Sequence, residues 1–274
     1  MSSNLQIKSG QARLAATVAG HGDPVVFLHA AVCDSRMWRA QLDAVGTSHK
    51  AIAYDRRGFG ETRAEQEDHS AVADLLAVID AAANGAPAIL VGCSQGGRVA
   101  LDAALLHPSR VPALVLIAPG VSGAPEPVHP PGIERLMAKL REAHEAGDLD
   151  QVNAIKAHHW LDGPLQPEGR VTGEARRLFL DMNAIALRSP PTGSNLDGVP
   201  AFHRLGEISA PSLVIWGDFD FPHIQERSRH MAATMLNASG HVLTGAAHLP
   251  SLERPTELTG LLREFIDRCS GRRA

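Results

Sequence analysis

The sequence predicts an α/β fold in which a mostly parallel sheet is flanked by helices and carries a helical cap insertion. Short, continuous apolar runs recur along the chain, and such runs are typical of strands that are buried on both faces. Segments with helical spacing separate these runs, and the alternation favours right-handed crossovers. The alternation stops between residues 121 and 208, where Pro, Gly, His and Arg are frequent.

Six apolar runs are expected to form strands of the parallel sheet. They are PVVFLHA (24–30), KAIAYD (50–55), AILVGC (88–93), PALVLIAP (112–119), PSLVIWG (211–217) and HVLTGA (241–246). The opening segments LQIKS and ARLAATVAG can add an antiparallel edge. Helical spacing relates Val72, Leu75, Leu76 and Ile79, and again Leu258, Leu261, Leu262, Phe265 and Ile266. Pro255 suits the first turn of that last helix.

The domain organisation follows from where this alternation holds. Residues 1–120 and 209–274 are expected to form the core, and residues 121–208 a cap inserted between two strands. Helical patches such as IERLMAKLREAHEA indicate that the cap is helical. A chain of 274 residues is long enough to bury a sizeable core.

Composition and charge exclude several classes of partner. The formal net charge of −4 offers no basic surface for nucleic acid. No stretch approaches the ~18 apolar residues of a membrane span, and the N-terminus lacks the apolar core of a signal peptide. Cys33, Cys93 and Cys269 are odd in number and widely spaced, which fits a reducing compartment. We therefore expect a cytoplasmic protein that contacts neither nucleic acid nor membrane.

A lone serine lies between glycines where one of the apolar runs meets a helical segment, in AILVGCSQGGRVALDAALLHP (88–108). An ordinary turn serine is the simplest interpretation of Ser94. A strained strand-to-helix corner that exposes a nucleophilic hydroxyl is the alternative, and it explains the glycines because they let two backbone segments approach. A serine hydroxyl is a weak nucleophile, so it needs a base and an acid that orients the base.

GCSQGG resembles the nucleophile elbow of the α/β-hydrolase family, in which Ser, Asp or Glu, and His follow one another along the chain. The resemblance implies that Ser94 is the nucleophile and that His248, in GAAHLPSLERP, is the base. For the acid, the family's G-x-x-D pattern fits Gly217 to Asp220, and Asp218 remains the alternative.

The oxyanion of such an enzyme needs two preorganised N–H donors. One is expected from the backbone of Gln95, at the start of the helix. The other is expected from Ala31, because FLHAAVCDSRMW resembles the family's loop after the third strand, with Ala30 in place of the usual glycine. YDRRGFGET (54–62) resembles the loop after the fourth strand. A dinucleotide site is rejected there, since Arg63 stands where the third glycine would be needed.

Other conspicuous residues receive structural interpretations. Cys93 is expected to behave as a small buried hydrophobe. The adjacent His158 and His159 project in different directions and have no third ligand at a usable spacing, so no metal site is predicted. A set of apolar residues in the cap, which could line a pocket, is expected to serve packing: Met137, Trp160, Phe179, Met182 and Leu187.

The resemblance implies a serine hydrolase that cleaves an ester or lactone of a small carboxylic acid through an acyl-enzyme and uses no cofactor. Alternatives with the same triad are a cofactor-free, haloperoxidase-like perhydrolase, a carbon–carbon bond hydrolase and an acyltransferase. A non-catalytic small-molecule receptor on the same fold is the alternative of another class. The expected partner is the small-molecule substrate, and a homodimer is left open.

Overall fold

The fold is built on one sheet that contains both antiparallel and parallel strands. The computed structural model describes residues 2–271 and joins eight strands in the order β1-β2-β4-β3-β5-β6-β7-β8. The strands are β1 (Ser2–Ser9), β2 (Ala12–Ala19), β3 (Pro24–Leu28), β4 (Lys50–Tyr54), β5 (Ile89–Cys93), β6 (Leu114–Ile117), β7 (Ser212–Gly217) and β8 (Ala238–Leu243). β2 runs antiparallel to β1 and β4, and the remaining pairs are parallel. The predicted parallel sheet and its antiparallel edge are both confirmed.

Helices cover the two faces of this sheet. They are α1 (Arg39–Val45), α2 (Ala71–Ala83), α3 (Gln95–Leu106), α4 (Pro131–Glu145), α5 (Leu149–Ala157), α6 (Gly173–Arg188), α7 (Pro222–Thr234), α8 (Pro250–Glu253) and α9 (Pro255–Ser270). The predicted helical spacings are confirmed in α2 and α9, and Pro255 is the first residue of α9. Among residues 2–271, none of the helices combines the length and the apolar character needed to cross a bilayer.

Alternate side chains of the central strands feed two cores. In β3, Val26 and Leu28 pack with buried residues of α2, α3 and α7. Val25 and Phe27 point the other way and pack with buried residues of α1 and α9. Because side chains alternate across a strand, a strand with helices on both faces must be apolar throughout. This accounts for the continuous apolar runs of β3 to β7.

β8 corrects one of the predicted strands. The run 241–246 is predicted to be buried on both faces, whereas the observed strand begins at Ala238 and ends at Leu243. Ser239, Gly240 and Val242 are exposed. β8 lies at the edge of the sheet, and β7 is its one partner strand in the described chain, so one side of β8 meets solvent. The expectation of two-sided burial is wrong for this strand.

The segment between β6 and β7 contains α4, α5 and α6. A π-helical turn at His158–Asp162 follows α5 directly. After α6, Asn195 and Asp197 accept hydrogen bonds from the backbone of Ala71 and Val72, which attaches the end of this segment to the start of α2. The division into a core and a cap at 121–208 stays a prediction.

Candidate active site

Ser94 occupies a strained corner between β5 and α3. Its backbone has φ 53° and ψ −117°, a left-handed conformation that costs a residue with a Cβ about 1–3 kcal/mol. Surrounding hydrogen bonds hold it there, because its N–H donates to the Ile117 carbonyl at 2.9 Å and its own carbonyl accepts from Gly120 at 2.9 Å. The corner is therefore fixed by β6 and by the loop that follows it.

The glycines around Ser94 allow backbone segments to come into contact. A Cβ on Gly92 would lie 2.5 Å from the Gly96 carbonyl oxygen, and a Cβ on Gly96 would lie 2.2 Å from the Leu28 carbonyl oxygen. A Cβ on Gly97 would lie 2.8 Å from the Cβ of Pro119. All three separations are shorter than van der Waals contact permits, so larger residues would push α3 away from the sheet.

A buried acid–base pair lies at the ends of β7 and β8. His248 Nδ1 is 2.7 Å from Asp220 Oδ2, and both residues are 2% exposed. Asp220 Oδ1 accepts the Phe221 N–H at 2.7 Å, so both carboxylate oxygens are engaged. Asp218 instead accepts the Gly245 N–H at 2.6 Å and thereby holds the turn after β8. Of the two aspartates named from the sequence, the one that contacts His248 is Asp220.

The histidine loop lies against the corner. The carbonyl oxygen of His248 is 3.6 Å from the Sγ atom of Cys93, the residue before Ser94. Within residues 2–271, no hydrogen bond joins Ser94 Oγ to His248. Catalytic hydrogen bonds are often long in unliganded sites and tighten when substrate binds. The structure thus brings Asp220 and His248 into contact and places the His248 loop beside Ser94.

The two amides expected to form the oxyanion hole lack acceptors. Ala31 is exposed, and Gln95 is the first residue of α3, where N–H groups have no partner in their own helix. Neither N–H donates a hydrogen bond to any residue of the described chain. Both remain available for an anionic oxygen, although their roles stay predictions.

The loop that carries Ala31 is shaped by His29. Its Nε2 accepts the backbone N–H of Arg56 at 3.0 Å, so Nδ1 carries the hydrogen and donates to the Ala30 carbonyl at 2.8 Å. Burial, and then the charge of Arg56, hold the pKa of His29 well below its usual value. His29 is therefore a neutral structural residue.

Arg56 contacts the same loop, and none of the ion pairs found among residues 2–271 involves it. Its Nη2 donates to the His29 carbonyl at 3.0 Å, and its guanidinium lies 4.9 Å from the Phe59 ring centroid. Burial lowers the pKa of Arg56 to about 10. The group remains a cation at neutral pH and contributes positive potential near the loop of Ala31.

The rest of the segment 54–62 supports turns. Asp55 accepts the N–H groups of Ser35 and Glu61, each at 2.8 Å. A Cβ on Gly60 would lie 2.1 Å from Asp55 Oδ2, which explains this glycine. These contacts join the loops after β3 and β4.

Trp160, which is expected from the sequence to serve packing, covers the acid–base pair together with Phe221. The ring centroid of Trp160 is 4.6 Å from that of His248 and 4.8 Å from that of Phe221. Trp160 lies in the π-helical turn, and such turns are frequent at functional sites. No motif precedes or follows Trp160 in the sequence, so only the path of the folded chain shows that it contacts the site.

Two further imidazoles adjoin Phe221. The ring centroids of His159 and His223 lie 5.9 and 5.6 Å from that of Phe221. Burial lowers the pKa of each to about 4, so both rings are neutral at neutral pH. Both nitrogens of His159 are buried, and neither has a hydrogen-bond partner among residues 2–271. In the described part of the chain, no three His, Cys, Asp or Glu side chains are grouped to hold a metal ion.

Comparisons with known proteins agree with this architecture. The model of the Alpha/beta hydrolase family matches residues 25–260. The chain is 28% identical over 259 residues to a 2-hydroxy-6-oxo-6-phenylhexa-2,4-dienoate hydrolase of Burkholderia cepacia, with 90% of this chain and 89% of that protein covered.

Two solved structures share the fold over nearly their whole length. A thermophilic esterase from Thermogutta terrifontis is 23% identical with a TM-score of 0.74, covering 98% of this chain and 99% of that one. The enol-lactonase from Burkholderia xenovorans LB400 is 19% identical with a TM-score of 0.74, and the match covers 97% of this chain and 100% of that one. The chain belongs to the alpha/beta hydrolase family.

Proposed function

We propose that the protein is a serine hydrolase that cleaves an ester or lactone of a small carboxylic acid. The observation that carries the proposal is the buried pair of His248 and Asp220, 2.7 Å apart, with the His248 loop beside the strained corner of Ser94. A base oriented by a buried carboxylate next to a serine at a strained corner is the arrangement that activates a hydroxyl as a nucleophile.

In the first half of the reaction, Ser94 Oγ bonds to the substrate carbonyl carbon while Nε2 of His248 takes the hydroxyl proton. The carbonyl oxygen becomes an anion between the N–H groups of Ala31 and Gln95. Asp220 keeps the proton on Nδ1 and stabilises the imidazolium. When the tetrahedral intermediate collapses, the bond to the leaving oxygen breaks, and His248 returns the proton to that oxygen.

In the second half, water attacks the acyl carbon of the ester on Ser94 and gives a proton to His248. The intermediate collapses to the free carboxylic acid, and the proton returns to Ser94 Oγ. No atom changes oxidation state over the cycle and each proton returns to its origin or leaves with a product, so the steps need neither a redox partner nor a cofactor.

The chemistry around the pair favours an acyl group that is uncharged and partly aromatic or apolar. Trp160 and Phe221 supply ring faces, and the neutral His159 and His223 add no charge. We propose that the cap at 121–208 shapes this pocket through Trp160. Aromatic side chains bury large areas and so contribute strongly to substrate affinity.

A second candidate is the hydrolysis of a carbon–carbon bond next to a ketone. Its support is the relative from Burkholderia cepacia, whose name describes a dienoate hydrolase and which aligns over 90% of this chain. Perhydrolase and acyltransferase activities would use the same three residues with another acyl acceptor. A receptor would bind a ligand without turnover.

The experiment is intact-protein mass spectrometry after treatment with a fluorophosphonate, in the wild type, Ser94→Ala and Ser109→Ala. We expect one adduct on Ser94 in the wild type and in Ser109→Ala, whose exposed serine is a control. Ser94→Ala should also lose hydrolysis of 4-nitrophenyl acetate by at least ~10³-fold. A folded wild type without an adduct would overturn the proposal and favour the receptor.

A panel of substrates then distinguishes ester, lactone and carbon–carbon bond hydrolysis. Nitrophenyl esters, γ- and δ-lactones, and a vinylogous 1,5-diketone are compared by kcat/KM. If kcat/KM for the diketone exceeds that for the esters and lactones by more than about 100-fold, the carbon–carbon bond hydrolase replaces the esterase as the proposed function.

A further inference from the structure

One arginine joins the turn that carries Trp160 to both loops that carry the acid–base pair. Arg170 Nε donates to the Asp162 carbonyl at 2.6 Å, and its Nη2 donates to the Leu161 carbonyl at 2.9 Å, which holds the end of the π-helical turn. Its Nη1 donates to the Gly245 carbonyl at 3.2 Å in the turn after β8. Its guanidinium lies 5.2 Å from the ring centroid of Phe219, next to Asp220.

Arg170 also forms an ion pair with Glu253, which accepts hydrogen bonds from the backbone on both sides of His248. Glu253 Oε2 accepts the Ala247 N–H at 2.8 Å and the Arg170 Nη2 donor, and Oε1 accepts the Leu249 N–H at 3.1 Å. The side chain of Glu253 is 1% exposed. A buried carboxylate that receives three donors fixes the backbone that positions the imidazole.

The turn itself is anchored by a second carboxylate. Asp162, which is fully buried, accepts the N–H groups of Gly169 and Val171 at 2.8 and 2.9 Å and pairs with Arg176 at 2.8 Å. The loop bearing Arg170 is thereby closed onto the turn. Gly163, at φ 99°, allows the turn to touch the acid loop, because a Cβ there would lie 2.6 Å from the Phe219 carbonyl oxygen.

We infer that Arg170 and Glu253 are positioning residues that couple the cap turn of Trp160 to the catalytic loop of His248. This inference rests on the proposed function for its activity readouts. Neither side chain touches the reacting atoms. They act through the backbone of Ala247 and Leu249 and through the turn that places Trp160 over the imidazole.

The coupling depends on the charge of Glu253. Burial raises the pKa of Glu253, whereas Arg170 and the two backbone donors lower it. Burial, and then the charges of Asp220 and Glu253, raise the pKa of the Cys93 thiol on the neighbouring strand β5. Without Arg170 the pKa of Glu253 rises further. A protonated carboxyl turns one acceptor oxygen into a donor, so one of the two backbone N–H groups beside His248 loses its partner.

The test compares Arg170→Met, Arg170→Lys and Glu253→Gln with the wild type. The control is Arg188→Met, which removes an exposed ion pair with Asp150 in the same inserted segment. The rate of Ser94 modification by a fluorophosphonate is measured between pH 5 and 9, because it reports activation of the serine without a known substrate.

We expect the acidic limb of the Arg170→Met profile to move to higher pH and its rate at pH 6 to fall at least ~10-fold. Arg170→Lys keeps the charge beside Glu253, so its acidic limb should stay in place, but its rate should fall at all pH values because one ammonium cannot replace the guanidinium donors to Leu161, Asp162 and Gly245. Glu253→Gln cannot titrate, so its rate should fall at all pH values without a displaced limb. A folded Arg170→Met with the wild-type profile would overturn the inference.

Two readouts do not need activity. Acrylamide quenching of Trp160 fluorescence, taken as the difference from a Trp160→Phe background, should increase in Arg170→Met and not in Arg188→Met. The low-field imidazole proton resonance of the His248–Asp220 hydrogen bond should weaken in Glu253→Gln. If the wild type fails to react with fluorophosphonate, the proposed function is wrong, and these two measurements still decide the coupling. If both stay at wild-type values in the variants, the coupling is absent.

Discussion

Asp220 Oδ2 lies 2.7 Å from His248 Nδ1, and both residues are buried, whereas the Asp218 carboxylate accepts the Gly245 N–H and the Asp218 carbonyl accepts the Gln225 side-chain amide. Replacing Asp220 by Asn should therefore lower kcat for 4-nitrophenyl acetate by about 10³-fold or more, because the amide cannot stabilise the imidazolium. Asp218→Asn should change kcat by less than about 10-fold, since its role is to hold a turn. A larger loss in Asp218→Asn than in Asp220→Asn would reverse the assignment of the acid.

Gly96→Ala tests the close contact between α3 and β3. The new Cβ would lie 2.2 Å from the Leu28 carbonyl oxygen and 2.8 Å from that of His29, so the helix must shift. We expect a destabilisation of about 1–3 kcal/mol in urea unfolding, with a loss of kcat as the Gln95 N–H moves. Gly260→Ala, in open space on α9, is the control and should be stabilising by about 0.5–1 kcal/mol. Equal stability of Gly96→Ala and the wild type would contradict the contact.

Trp160→Ala tests the aromatic cover over the imidazole. The ring lies at a tilt of 50° to that of His248, with 4.6 Å between the centroids, so its removal should weaken binding of apolar acyl groups more than it slows the chemistry. For 4-nitrophenyl butyrate we expect KM to rise about 10-fold and kcat to fall less than that. Trp160→Phe retains a ring, so its KM should lie between those of the wild type and Trp160→Ala. An unchanged KM in Trp160→Ala would show that the acyl group binds elsewhere.

Asp102 provides a pH-dependent element of stability away from the site. It is buried in α3, its Oδ1 has no partner, and Arg98 Nε is 3.8 Å from Oδ2. Burial raises the pKa of Asp102 to about 6. Since the folded state holds the proton more tightly, the stability from protonation is complete below the unfolded pKa of about 4 and is lost as the pH rises through about 6.

Asp102→Asn should remove this dependence. At pH 7.5 the variant is expected to be more stable than the wild type by about 1 kcal/mol in urea unfolding, and the gain should fade towards pH 4. Asp150→Asn, in an exposed ion pair, is the control and should show no comparable trend. A constant difference between pH 4 and 8 would mean that Asp102 does not titrate in this range.

The parallel sheet could be predicted because burial on both faces leaves a direct mark on the sequence. β3, β5 and β7 are buried at every position, so a run such as ILVGC has no polar residue to interrupt it. β8 lacks this mark, since Ser239 is exposed and His241 half-buried, so the apolar pattern does not locate where this strand begins. Strand ends were also predicted too long, because residues such as His29 and Asp55 continue from strands into loops.

The site could be predicted only where its residues follow a local motif. Ser94 is framed by glycines, and Gly217 sets the spacing to Asp220. Trp160, Arg170 and Glu253 reach the site by the path of the chain through space, and residue spacing carries no information on that path. The roles of Ser94, Asp220, His248, Ala31 and Gln95 stay predictions until the variants are measured.

The placement of the inserted segment has a consequence for synthesis of the chain. β6 is wholly apolar and fully buried, yet its neighbour β7 emerges only after residues 118–211 have been made. During that interval the half-built sheet ends in an unpaired apolar strand, which invites pairing with other chains. Cys93 and His248, which touch in the folded protein, are 155 residues apart in the chain, so the site closes last. A refolding chain also exposes this edge until β7 docks, so we expect refolding yields to fall steeply with protein concentration and to improve when a chaperone shields β6.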